Sequence, residues 1–73
     1  MNYAAMADAI RKERIGERIE HLRALTHIQD AAERSGNYIR SRWASNVWMA
    51  VWVDLIHITG IKPKHIQSIQ WND

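Results

Sequence analysis

The sequence predicts an all-α domain of four or five helices, and three observations support this prediction. No segment shows the sustained alternation of apolar and polar residues that is typical of a β-strand. Apolar residues recur instead at spacings of three and four, as they do along one face of a helix. Glycine and short polar residues separate these stretches, as they do at helix ends. We expect residues 1–11 to form a short helix or a mobile arm, and residues 12–73 to form a single helical domain.

The first segment is predicted to be separate because its apolar stripe has a different phase. Tyr3, Met6 and Ile10 share one helical face, whereas the next amphipathic stretch begins at Ile15. At about 100° per residue the two stripes differ by more than a third of a turn. One straight helix cannot direct both stripes to one core, so we place a break in the charged run 11–14.

The remaining helices are predicted from apolar spacing and from residues that favour helix ends. Gly36 and Gly60 are suited to the left-handed conformation that closes many helices. Ser45 and Asn46 are predicted to form a break, with Asn46 as an N-cap. The predicted helices cover residues 15–25, 27–35, 38–44 and about 47–59, with a last short helix that starts near Pro63 and carries Ile66 and Ile69.

Tryptophan is unusually dense in this chain, with Trp43, Trp48 and Trp52 within ten residues. A helix that is apolar on more than one side needs more than one packing partner, so residues 47–59 are predicted to be the central helix. Trp48 and Trp52 are then expected in the core, whereas Trp43 is expected in a partly exposed cluster with tyrosine and arginine.

Composition narrows the functional classes. The 73 residues include no cysteine, which fits a reducing compartment, and the net charge is only +2. Seven of the eight basic residues before position 43 are arginine, which favours planar recognition of phosphate or carboxylate. The sequence shows neither a secretory signal nor a membrane span, and a membrane-surface peptide is disfavoured because the tryptophan-rich helix lacks a basic face. We expect a soluble, cytoplasmic protein.

Catalytic and metal-binding motifs are not recognisable in the sequence. The four histidines do not occur at the i,i+4 spacing of a helical zinc site, and no cysteine is present to complete one. The sequence also contains no Gly-rich phosphate loop, nucleophile elbow or Cys/His pair. The protein is therefore predicted not to be an enzyme and to need no metal or other cofactor.

The order and spacing of the predicted helices resemble the helix-turn-helix domain of Cro/CI-type phage repressors over about fifty residues. The resemblance covers residues 15–23, 30–36, 38–43 and 54–66. It departs from the family after Gly36, where Asn37 and Tyr38 replace the usual apolar residue and capping Ser or Thr. It implies an operator-binding repressor, which is our alternative function. The nucleic-acid contacts that it suggests are Arg40, Ser41, Arg42, Lys64 and Gln67.

In length and general character the chain also resembles small bacteriophage transcription regulators, such as that of a Xanthomonas phage, which bind host RNA polymerase. This resemblance implies contact with the large polymerase subunits, inhibition of initiation, antitermination and competition with sigma factor. Our main hypothesis is therefore a polymerase-binding regulator that is a monomer or a weak dimer, and an inhibitor of another host or defence protein remains open. The predicted partner-binding residues are Tyr3, Ile10, Arg11, Arg14, Tyr38, Arg40, Arg42 and Trp43.

Overall fold

A computed structural model describes residues 2–62, and this part of the chain contains three helices. They are α1 (Tyr3–Arg11), α2 (Ile15–Arg34) and α3 (Tyr38–Thr59). The prediction of an all-α fold is confirmed for these residues. The prediction of four or five helices in a helix-turn-helix arrangement is wrong. The predicted last helix, together with Trp71, lies outside the described residues.

Helix α1 belongs to the packed structure. The Asn2 side chain caps it by accepting hydrogen bonds from the backbone N–H groups of Ala4 and Ala5, at 3.0 and 3.3 Å. Ala7 and Ile10 on its inner face are buried in the core. The segment that we predicted to be a short helix or a mobile arm is therefore a capped helix that contacts the rest of the domain through Ala7 and Ile10.

Helix α2 continues through the break that was expected near residue 26. No glycine or proline interrupts the chain between residues 17 and 34. The Thr26 hydroxyl donates to the Leu22 carbonyl at 3.0 Å, which is the bond that a threonine makes within a helix to the preceding turn. Leu22 and Leu25 are both buried, so ending the helix here would disrupt the packing of its apolar face.

Helix α3 likewise continues through Ser45 and Asn46. Ala44 and Val47, on either side of the expected break, are fully buried. Serine and asparagine cost at most about 0.7 kcal/mol each in a helix interior relative to alanine. Burial of one Val or Leu side chain contributes roughly 1.5–3 kcal/mol, so a continuous buried face outweighs that cost. This face consists of Ser41, Ala44, Val47, Val51 and Leu55.

Helix α3 lies between the other two helices. An ion pair of 3.2 Å joins Arg18, near the start of α2, to Asp54, near the end of α3. At the other end, the Ser41 hydroxyl donates to a Glu33 carboxylate oxygen at 3.3 Å. These two contacts show that α2 and α3 run antiparallel. Helix α1 contacts α3 through Arg11, whose Nη1 donates to the Ala50 carbonyl at 3.2 Å.

The connection between α2 and α3 explains why the helix-turn-helix prediction fails. Ser35, Gly36 and Asn37 join helices of 20 and 22 residues that pack side by side. This is an αα-hairpin, whereas a helix-turn-helix joins two shorter helices at a steep angle. The turn glycine was predicted correctly, but both helices that it joins are longer than predicted because neither breaks internally.

Gly36 provides a direct test of the turn. Its φ is +76°, and the Asn37 N–H bonds to the Ala32 carbonyl at 2.8 Å, as in a Schellman motif. A Cβ at Gly36 would meet no atom within 4 Å, so only backbone strain opposes substitution. We expect Gly36→Ala to lower the free energy of unfolding by about 1–2 kcal/mol, and Gly36→Asn to lower it less because asparagine tolerates this conformation. Urea denaturation of both variants measures the difference, and equal stability of the two would contradict this explanation.

Candidate protein-binding cleft

A cleft of about 270 Å³ opens where the start of α1 meets the start of α3. Helix α1 contributes one aromatic side chain to it, and the first turns of α3 contribute the rest. The cleft is lined by Tyr3, Tyr38, Ile39, Arg42, Trp43 and Asn46. Tyrosine, tryptophan and arginine are the residue types that contribute most often to the binding energy of protein interfaces.

Two capping residues define where the helices that line this cleft begin. Asn37 starts α3 by accepting a hydrogen bond from the Arg40 N–H at 3.1 Å, and Asn2 caps α1 beside it. From Tyr38 onwards, positions one, four, five and eight residues later fall on one broad side of α3. The α3 side chains of the cleft therefore rest on the first two turns of a long, anchored helix.

The cleft combines exposed apolar groups with one fixed aromatic wall. Tyr38 is 73% exposed and Ile39 is 79% exposed, although they are adjacent large side chains. Trp43 is half-buried and packs against the core. Its indole nitrogen is buried without a hydrogen-bond partner. Trp43 is thus held in place by the core, whereas Tyr38 and Ile39 project from the first turn of α3.

Arg42 supplies the charge of the cleft. Its side chain is exposed, and within residues 2–62 it forms no ion pair, unlike Arg11, Arg18, Arg23 and Arg34. None of the acidic residues in the described part of the chain lines the cleft. The site is therefore an aromatic cleft with one positive charge.

A second, shallower hollow lies on another side of Trp43. It has a volume of about 420 Å³ and is lined by Asn2, Ala5, Met6, Ala9 and Trp43. Met6 is 42% exposed here. Because Trp43 borders both hollows, the start of α1 is flanked by apolar concave surface that can extend the contact area of the cleft.

The cleft brings together four of the predicted partner-binding residues, namely Tyr3, Tyr38, Arg42 and Trp43. The other four, Ile10, Arg11, Arg14 and Arg40, do not line the cleft. Ile10 is only 2% exposed and belongs to the core. Arg11 bonds to Asp8 and to the Ala50 carbonyl, so its guanidinium joins α1 to α3. Arg14 precedes α2, beyond the far end of α1.

Arg40, Ser41 and Arg42, the predicted nucleic-acid contacts on α3, point in different directions around the helix. Successive helix positions are about 100° apart, so Arg40 and Arg42 point in directions that differ by about 160°. Ser41 between them is 8% exposed and bonds to Glu33. The two remaining candidate contacts, Lys64 and Gln67, lie outside the described residues.

Two cleft residues were missed in the sequence. Ile39 is not among the predicted partner-binding residues, yet it is the most exposed of the large apolar side chains in residues 2–62. Asn46 was assigned to a helix break. Both errors follow from dividing α3, because in a continuous helix the buried face through Ala44 and Val47 leaves Ile39 and Asn46 outside. The regular spacing of the buried residues along α3 would have indicated that Ile39 and Asn46 lie on the outside of the helix.

The other two described tryptophans are half-buried and pack against the core. The ring centroids of Trp48 and Trp52 are 5.9 Å apart, and the rings are stacked. The Trp52 indole N–H donates to the Ile61 carbonyl at 3.2 Å, which holds the chain that follows Gly60 against α3. These two residues therefore stabilise the fold at a distance along α3 from the cleft.

No family model matches this chain, and neither a curated protein nor a solved structure matches it. None of the three helices is long and apolar enough to cross a membrane. Over residues 2–62, no three His, Cys, Asp or Glu side chains come together as metal ligands would.

Proposed function

We propose that the protein is a small transcription regulator that binds bacterial RNA polymerase, with the aromatic cleft as its docking site. Binding there would inhibit initiation, promote antitermination, or both. The observation that carries the proposal is the exposure of Tyr38 and Ile39 beside the fixed ring of Trp43 and the charge of Arg42, which forms no ion pair within residues 2–62. Because these side chains stand on the first turn of a helix, binding does not have to order the backbone that carries them.

The two parts of this proposal have different support. The cleft supports binding to a protein, because it has the aromatic and arginine composition of an interface centre. The resemblance to small phage regulators supports RNA polymerase as the partner. The alternative function, an operator-binding repressor, loses the recognition helix on which it depended, because residues 38–44 are the first part of the long helix α3.

Tyr38→Ala tests the docking site directly. We expect it to weaken binding to purified RNA polymerase core enzyme at least tenfold, as truncation of an interface aromatic commonly does. The fold should be unchanged because the Tyr38 side chain is 73% exposed. Biolayer interferometry with immobilised polymerase measures the affinity, and circular dichroism checks the fold.

The matched control is Ile58→Ala, which removes an apolar side chain that is 57% exposed at the opposite end of α3. It should leave the affinity within about twofold of the original protein, because it lies outside the cleft. Equal affinities for both variants would place the docking site elsewhere. If the unmodified protein bound RNA polymerase neither as core enzyme nor with sigma factor present, the polymerase assignment would fail.

A further inference from the structure

We infer that the cleft recognises an acidic peptide segment in which a large apolar anchor stands beside an Asp or Glu carboxylate. The inference depends on the proposed function in one respect, namely that the cleft is the surface that meets the partner protein. It adds the chemistry of the segment that binds there. The observation behind it is the juxtaposition of an aromatic-walled cavity and the Arg42 guanidinium group, with which no carboxylate within residues 2–62 pairs.

The size and walls of the cavity determine the anchor. A volume of about 270 Å³ lies just below the roughly 300–1,000 Å³ of typical small-molecule sites, so it suits one large side chain better than a cofactor. Tyr3, Tyr38 and Trp43 offer aromatic faces, and Ile39 adds an aliphatic edge. Aromatic pairs gain energy from stacked or edge-to-face contact in addition to area burial. The preferred anchor is therefore Phe, Tyr, Trp or Leu.

The charge of the cleft determines the neighbour of the anchor. Among residues 2–62, Arg42 is the only charged residue that lines the cleft, and no carboxylate of these residues pairs with it. A guanidinium group binds a carboxylate through two parallel hydrogen bonds. Binding beside an aromatic wall shields this pair partly from water, which strengthens it. The segment should therefore carry Asp or Glu next to the apolar anchor.

Single-stranded nucleic acid would also use aromatic rings and arginine, but it needs a track of positive charge along its backbone. Within residues 2–62, the cleft has one cation, Arg42. Arg40, which also forms no ion pair in the described part of the chain, points about 160° away around α3. Lys12 lies beyond the far end of α1. One cation suits a single carboxylate better than a chain of phosphates.

The experiment is a selection of random heptapeptides displayed on phage, with the full chain immobilised as the target. We expect enrichment of peptides in which an aromatic residue or leucine is adjacent to Asp or Glu. The best peptide is then synthesised together with a control peptide, the amide peptide, in which Asp is replaced by Asn or Glu by Gln. The chain has four tryptophan indole N–H groups, and the ¹H–¹⁵N signal of Trp43 should shift on binding while that of Trp48 stays in place.

A double-mutant cycle tests the role of the charge. Arg42→Ala should weaken binding of the acidic peptide about tenfold, yet change binding of the amide peptide less than twofold. Arg42→Lys should restore part of the lost affinity, since it restores the charge without the planar fork. Arg40→Ala is the matched control because it removes an exposed arginine two residues away, and it should bind both peptides normally.

Several results would overturn the inference. The selection would do so if no peptides were enriched, or if the enriched peptides lacked a carboxylate. The double-mutant cycle would do so if Arg42→Ala affected both peptides equally. Arg42-dependent binding of a ten-nucleotide oligothymidine that displaces the peptide would also overturn it. The same experiments distinguish failure of the inference from failure of the proposed function. Selected acidic peptides without polymerase binding would reject only the polymerase assignment. Polymerase binding that depends on Tyr38 but not on Arg42 would reject only the inference.

Discussion

Asn46→Pro is expected to lower the free energy of unfolding by about 3 kcal/mol or more. Asn46 lies in the interior of α3, which extends from Tyr38 to Thr59. Proline there would remove the backbone bond to the Arg42 carbonyl, and its ring would clash with that carbonyl. Small domains are stable by only about 5 kcal/mol at the lower end of the usual range, so the variant should be largely unfolded in mild urea. Urea denaturation followed by far-ultraviolet circular dichroism measures the loss.

The result distinguishes the three-helix fold from a chain with a break at residues 45–46. If a helix started there, proline near its first turn would be tolerated. Asn46→Ala is the control, and it should be neutral or slightly stabilising because alanine has the higher helix propensity. His27→Pro and His27→Ala form the same pair of variants at an exposed position in α2. If either proline variant were as stable as its alanine control, that helix would contain the predicted break.

The helical class and the outer ends of the helices were predictable because they depend on local chemistry. Gly36 and Gly60 occupy left-handed positions that strongly favour glycine, and both end helices. The phase difference between Ile10 and Ile15 likewise placed α1 apart from α2. Such signals involve residues only a few positions apart, so they can be read without knowledge of the tertiary structure.

The internal continuity of α2 and α3 was not predictable from these signals. Thr26, Ser45 and Asn46 have weak helix propensities, and each is a plausible capping residue when considered alone. What decides the outcome is burial on both sides of each site, by Leu22 and Leu25 in α2, and by an unbroken face in α3. Packing against another helix is a non-local effect, and it exceeds a propensity difference of a few tenths of a kcal/mol.

The cleft was predictable only in part, because one of its residues comes from a different helix. Tyr38, Arg42 and Trp43 are close in sequence, so their neighbourhood on one helix could be anticipated. Tyr3 joins them only because α1 packs against the start of α3. The sequence could not separate Ile10 and Arg11, which stabilise the contact of α1 with the core, from residues that remain free to bind a partner.

Leu55→Ala is expected to destabilise the protein by about 2–5 kcal/mol, which is the range measured for large buried aliphatic residues truncated to alanine. Leu55 is fully buried in the face of α3 that packs against the core. The substitution removes apolar contacts and leaves a cavity, and a 73-residue chain has few other core residues that could compensate. We therefore expect a lower urea midpoint or complete loss of the cooperative transition.

Ile58→Ala is the matched control, because it shortens a side chain of similar size on the same helix that is 57% exposed. Its cost should stay below about 1 kcal/mol, since less apolar area leaves the core. Similar losses for both variants would mean that the two sides of α3 are equally buried, which would be incompatible with this packing. If Leu55→Ala remains partly folded, its affinity for the cleft peptide should scale with the folded fraction, because Leu55 lies outside the cleft. Loss of stability and loss of binding can then be separated in one set of measurements.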